Sequence, residues 1–236
     1  LRYKRFHGWP TSRLEAAAIQ LKLAQKIDPQ DYPVTPRLIA AVDTAYGRDG
    51  QVVYAAAVVT TFPEIEEVER TFCQTPVIFP YIPGMYYFRE GACILEVLEK
   101  IRNEPDLLMI HGHGIAHPRN CGMACFIGLA FDKPSIGCAR KLLVGRHREV
   151  APHKGGQQPI IWRSREVGIA YRAKDRVKPI YISPGYKCNL QQARDIVVMN
   201  LRGFRLPEPL RLAYLFANKY KRYRERKTAE TGESVA

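Results

Sequence analysis

Apolar and polar residues alternate along this chain in stretches of helical and strand period. Leu14, Ala17, Ala18, Leu21, Leu23 and Ala24 recur at helical spacing behind Thr11 and Ser12, which predicts a capped opening helix over residues 12–26 whose work is packing. A connector rich in proline and aspartate spans 29–36. Leu38 to Tyr46 is apolar on both alternating sets, the pattern of a strand buried on both faces, and only Asp43 interrupts it. Gly47 to Gly50 makes a turn into a second β-branched strand, Gln51 to Thr61, and the more polar run Ile65 to Phe72 suits an edge strand. Leu107 to Ile110 is a short continuous apolar run, as expected of a parallel strand reached through a helical crossover. A helix over 123–130, strands at 135–139, 160–162, 167–171 and 179–182, and helices over 190–201 and through Leu212 to Ala217 complete the order. The expected fold is α/β: a mixed sheet of a three-strand antiparallel meander plus parallel strands, flanked by helices, in a single domain over 1–236.

Between the third strand and the next helix stands Pro80-Tyr81-Ile82-Pro83-Gly84. Each proline fixes its own φ and pushes the preceding residue toward extended geometry, so Tyr81 and Ile82 are offered on a stiff spur that can act as a wedge. Beyond Gly84, residues Tyr86, Glu90, Ile94, Val97 and Ile101 share one helical face, which puts a single carboxylate among apolar neighbours. A buried charge needs a metal ion, a basic side chain or a proton. The plainer alternative is an acid at a helix start, favoured by the macrodipole, beside an ordinary surface tyrosine.

Composition narrows the partners. Lys and Arg number 36 against 23 Asp and Glu, a formal charge of +13, and nucleic acid is the first candidate for an anionic partner because its phosphates release counterions to such residues. No apolar run approaches the ~20 residues of a spanning helix, so a soluble protein without a membrane is expected. Six scattered cysteines read as reduced, buried, cytoplasmic thiols, and the pair Cys121 and Cys125 lacks the second pair a zinc site would use. The tract Lys219 to Lys227 is basic and aromatic; residues 219–236 are expected to form a partly flexible basic extension that is either solvated or in contact with phosphates.

The candidate chemistry lies at strand ends. Asp43 in a core strand, Glu90 on a helix and the glycine-rich loop from His111 to Arg119 can meet at the top of one sheet, where two glycines admit close approach of a ligand. Carboxylates so gathered suit phosphodiester hydrolysis with Mg²⁺ or Mn²⁺. His111, His113 and His117 have a spacing that also allows zinc.

The chain resembles the deoxyinosine-specific endonuclease V family. The segments that carry the resemblance are Ala41-Val42-Asp43, Phe79 to Gly84 with Phe88-Arg89-Glu90, Gly112 to Arg119, Ile136 to Ala139 and Arg205-Leu206-Pro207-Glu208-Pro209. It implies an RNase H-like fold, a DNA repair endonuclease that hydrolyses the second phosphodiester bond 3′ to deoxyinosine with a divalent metal, and products bearing 3′-hydroxyl and 5′-phosphate ends. By position, Asp43 and Glu90 match acidic metal ligands. Tyr81, Ile82 and Pro83 match the wedge, and Gly84, Gly112, Gly114 and Gly122, with His113 beside them, match the pocket for a flipped base. His117 matches a histidine near that pocket, with either a catalytic role or a hydrogen bond that pins the loop.

Four positions depart from the family pattern. His111 stands where the family has a metal-ligand aspartate, Arg140 where it has lysine, Phe126 where it has histidine, and Tyr214 where aspartate or histidine is common. Exchanging aspartate for histidine removes a charge and weakens Mg²⁺ binding, while Mn²⁺ tolerates nitrogen better. Two functions are therefore expected. One is a monomeric nuclease on deoxyinosine in DNA, and on inosine in RNA, in which Asp43, Glu90 and His111 hold the metal, and Arg140 with Lys141 stabilises charge. The other is a module that binds inosine or distorted nucleic acid without cutting.

Overall fold

The computed structural model describes residues 1–27 and 35–231. Most of the connector expected at 29–36, and the last five residues of the basic extension, lie outside the described residues.

Helix α1 (Arg13–Ala24) opens on the expected cap, Ser12 accepting the Glu15 N–H. A hairpin of β1 (Leu38–Tyr46) and β2 (Val52–Thr61) follows, then the edge strand β3 (Glu67–Pro76), which begins and ends later than its polar pattern suggested. Helix α2 (Tyr86–Glu99), β4 (Leu107–His111), α3 (Met123–Phe131) and β5 (Ser135–Ala139) continue the alternation. Strands β6 (Gln157–Trp162), β7 (Arg165–Tyr171) and β8 (Ile180–Pro184) precede α4 (Leu190–Met199) and α5 (Glu208–Thr231). The basic tract from Lys219 is continuous helix with α5 as far as Thr231. No helix among the described residues is long and apolar enough to cross a membrane.

The eight strands form one RNase H-like mixed sheet in the order β3-β2-β1-β4-β5-β8-β7-β6. β4 runs parallel to both β1 and β5, while the two outer groups are antiparallel. The strand period of two sorts β1 onto two faces. Ala40 and Val42 join a core built with α1, α2 and α3, and Ile39 and Ala41 join one built with α4 and the start of α5. The start of β1 is tied to the turn before β4, because the Asp106 carboxylate accepts the N–H groups of Arg37 and Leu38 at 2.8 and 3.0 Å. That tie and the parallel register Val42↔Ile110 bring Asp43 level with the end of β4.

A candidate nucleic-acid cleft

Asp43 is 2% exposed in the middle of the sheet, and such a carboxylate must be paired. Its Oδ1 accepts from His111 Nδ1 at 2.7 Å and from the Thr44 N–H at 2.7 Å, and its Oδ2 faces Arg140 Nη2 at 3.5 Å. His111, the last residue of β4, and Arg140, just beyond β5, therefore reach Asp43 from the neighbouring strands. Arg140 is itself held in place: its guanidinium lies 4.3 Å from the ring centroid of Tyr214 in α5, and its carbonyl accepts from Arg205 at 2.6 Å. Tyr214 is thus a stacking partner for the cation.

Glu90 does not stand at a helix start. It is the fifth residue of α2, past the first turn, and two hydroxyls satisfy it: Tyr46 donates to Oε1 at 2.7 Å and Thr44 to Oε2 at 3.0 Å. Burial raises its pKa against the lowering effect of those hydrogen bonds and of nearby His111. Thr44 and Tyr46 belong to the α2 side of β1, whereas Asp43 and His111 alternate to the side of α5. The two acids come to the cleft from different sides of β1, and His111, bonded to Asp43, also acts electrostatically on Glu90.

One cleft of about 390 Å³ is bordered by Asp43, Glu90, His111, Arg140 and Lys141 and also by Gly84, Gly112, His113, His117 and Gly122. Its apolar lining includes Tyr86, Tyr87, Met123 and Leu143. Gly84 has φ +77, in the left-handed region, and ends the spur in a turn where the Met85 N–H donates to Ile82 O. Tyr81 projects from this turn, 61% exposed, with an edge contact to Tyr86 at 5.3 Å. Ile82 packs inward on the core and Pro83 is exposed, so within the wedge only Tyr81 is a free ring.

Gly114 does not border the cleft. A Cβ there would fall 1.9 Å from Pro184 O, so its glycine serves the close passage of the loop over β8 rather than the approach of a ligand. Its N–H donates to Ser183 Oγ at 2.8 Å.

His113 and His117 are both directed at main-chain carbonyls. His113 Nε2–H donates to Lys141 O at 3.0 Å, and His117 Nε2–H donates to Gly84 O at 2.7 Å. Burial lowers their pKa values, to about 4 and about 3, so both are neutral at pH 7. With His111 turned to Asp43, the three histidines do not converge, and Cys121 and Cys125 are buried free thiols.

One contributor escapes a reading of the sequence, and one departure noted there finds its reason. Gln20 of α1, only 1% exposed, donates to Gly84 O at 2.9 Å and borders the cleft; its place on an otherwise apolar helix face was the available signal. Phe126 stacks on Tyr87 at 3.8 Å inside an aromatic cluster that includes His7 and Phe88, which explains an apolar ring at that position.

The donors fit a divalent cation poorly as they stand. All four carboxylate oxygens of Asp43 and Glu90 have protein partners, and the Arg140 guanidinium lies beside Asp43. Among the described residues no three His, Cys, Asp or Glu side chains are grouped to hold a metal ion.

Both the sequence and the fold match known proteins. The family model described as Endonuclease V matches residues 21–215. A relative from Nostoc punctiforme named Endonuclease V is 39% identical over 90% of this chain and 97% of its own. The crystal structure of the Endonuclease V from Streptomyces avermitilis superposes with a TM-score of 0.86 at 30% identity, covering 92% of this chain and 96% of that one. Endonuclease V from Ciona intestinalis shares the fold, with a TM-score of 0.77 at 24% identity over 89% of this chain and 98% of that one; it was crystallised with a DNA containing an inosine followed by a ribo-adenosine.

Proposed function

The chain belongs to the endonuclease V family, a family of nucleases, and from that premise we propose that it recognises inosine in a nucleic-acid strand and acts at the backbone beside it. The observation that carries this reading is the shared cleft, in which a glycine- and histidine-lined part adjoins the cluster of Asp43, His111 and Arg140. A base must leave the stack to be inspected at its edge, and Tyr81 is the exposed ring that fills the gap it leaves. Gly84, Gly112 and Gly122 let backbone approach the flipped base, while Gly114, His113 and His117 hold the shape of that wall. Arg140 and Lys141 meet the phosphate, and the charge of +13 supports contact along the strand.

The substrate read here is deoxyinosine in DNA, with inosine in RNA as a second, engaged by a monomer of one domain. The inosine-containing DNA bound by the Ciona intestinalis protein is consistent with that substrate. The reaction the resemblance implies is hydrolysis of the second phosphodiester 3′ to the lesion, leaving 3′-hydroxyl and 5′-phosphate ends. In that reaction Mg²⁺ or Mn²⁺ would polarise the phosphate, but among the described residues the donors are not arranged for it. Six free, buried thiols suit a reducing compartment, read here as the cytoplasm.

A second reading, binding without scission, is favoured by one contact: the 2.7 Å bond from His111 to Asp43, which engages the carboxylate that a nuclease would keep for its metal. End-labelled duplexes with and without a single inosine, incubated with Mg²⁺ and then Mn²⁺, separate the two. Nicking at the second phosphodiester supports the nuclease, and inosine-selective binding without nicking supports the module. Equal binding to inosine and adenine duplexes removes both.

A further inference from the structure

We infer that in this chain His111 and Arg140 occupy, as the protein's own donors, the place a divalent cation would take at Asp43, and that the cleft engages an inosine-containing strand with no divalent ion. This deepens the inosine reading and rests on it.

The argument begins with burial. Asp43 is 2% exposed, and an isolated carboxylate there would be costly, so something must neutralise it in the free protein. The Arg140 guanidinium at 3.5 Å supplies the counter-charge, and the His111 imidazole at 2.7 Å adds a hydrogen bond. Neither is a chance contact of a long, mobile side chain. His111 is fixed by its place at the end of β4, and Arg140 is pinned between the Tyr214 ring and its own carbonyl's bond from Arg205. Arginine stays charged, so a dication entering beside Asp43 would meet fixed positive charge.

A cation would also have to share the oxygens of both acids with protein hydrogen bonds already made. Glu90 is already satisfied by Thr44 and Tyr46, on the other side of β1. Hard cations take several oxygens, and His111 offers beside Asp43 an imidazole whose Nδ1 is bonded to that carboxylate, in place of a further oxygen. The same cluster leaves Arg140 and Lys141 on the cleft wall, so a phosphate finds its counter-charge in the protein.

The test uses the full chain and Mn²⁺ alone, followed by the loss of the free-ion electron paramagnetic resonance signal. The expected result is no binding by the unaltered protein and at least ~10-fold tighter binding by His111→Asp, which restores a hard oxygen donor. Binding by the unaltered protein that Asp43→Asn abolishes would overturn the inference. Failure of a folded His111→Asp to gain affinity would overturn the assignment to His111. If His111→Asp does not fold, the titration of the unaltered protein still decides.

A second measurement reads fluorescence anisotropy of inosine and adenine oligonucleotides in EDTA and in Mn²⁺. Equal discrimination in both supports the inference. Discrimination that requires Mn²⁺ overturns it and leaves the inosine reading standing, whereas no discrimination in either condition removes the inosine reading itself.

Discussion

His117 donates from Nε2 to the carbonyl of Gly84 at 2.7 Å, joining residues 33 apart in sequence and locking the spur to the glycine loop. Gln20 and Arg119 donate to the same carbonyl at 2.9 and 3.2 Å, and the Arg119 N–H returns to His117 Nδ1 at 3.2 Å. The histidine is a donor at one nitrogen and an acceptor at the other, which fixes it in the neutral tautomer. Of the two roles open to it in the sequence, the geometry supports the pin.

That pairing makes stability sensitive to acid. His117 has a pKa lowered to about 3 by burial, while an unfolded histidine titrates near ~6.5, so below that value the unfolded chain takes up a proton that the folded one refuses. Stability is full above ~6.5 and falls as pH drops toward 3, with His113 adding to the fall until about 4. Thermal melts from pH 7 to pH 5 should show a declining Tm, and His117→Asn, which keeps a donor for Gly84 without a titrating group, should flatten the decline.

Glu90 gives the opposite sign. Its pKa is raised by burial, so the folded state favours the protonated acid and loses stability as pH rises through the folded value. Glu90→Gln keeps an acceptor for Tyr46, reverses the bond to Thr44 so that the amide donates to the hydroxyl, and removes the buried charge. The variant should melt higher than the parent at pH 8, by roughly 1–2 kcal/mol of stability, and the advantage should shrink at pH 5.

Tyr81→Ala removes the exposed ring and little else from the fold. Stacking of one base on one ring is worth ~1–3 kcal/mol, so binding to an inosine oligonucleotide should weaken about 5- to 100-fold with Tm unchanged. An unchanged affinity in anisotropy titrations would exclude the wedge.

Gly114→Ala should act through the fold. The new methyl would sit 1.9 Å from Pro184 O, a backbone atom with no room to yield, and a cost of about 3 kcal/mol or more is expected in denaturant melts. Gly8→Ala, with nothing within 4 Å of the added Cβ, is the matched control and should leave the midpoint unmoved.

Affinity for single strands should fall steeply with salt, with a log–log slope of about −0.7 per phosphate contacted. Replacing Lys219, Lys221 and Arg222 of α5 with glutamine should make the slope shallower if this helix end meets phosphates. A slope equal to that of the parent would assign the contacts to the cleft alone.

Much of this was readable in the chain because it depends on local pattern. β1 and β5 have the bounds their apolar runs suggest, and Asp43 is conspicuous because an acid inside a strand buried on both faces has few explanations. The position of His111 at the end of a parallel strand likewise follows from the crossover before it. The partners of Glu90 were not readable, because whether a helical acid meets hydroxyls or a cation depends on how α2 slides along β1. The same holds for Tyr214, whose contact with Arg140 joins α5 to the end of β5 across 74 residues, and for the pairing of β5 with β8, strands far apart in sequence. Helix α2 stops at Glu99 rather than reaching Ile101, yet Ile101 is buried all the same, since the apolar period continues into the turn.

The two cores on either side of β1 impose a timetable on synthesis. Strand β1 and helix α2 leave the ribosome early and can bury one face at once, whereas the opposite face waits for Leu206, Leu210 and Ala217. Until α5 emerges, the apolar back of the hairpin is open to chaperones and to neighbouring nascent chains. The Arg140 guanidinium also lacks Tyr214 during that interval. The cluster around Asp43 is therefore completed only when α5 has joined the sheet.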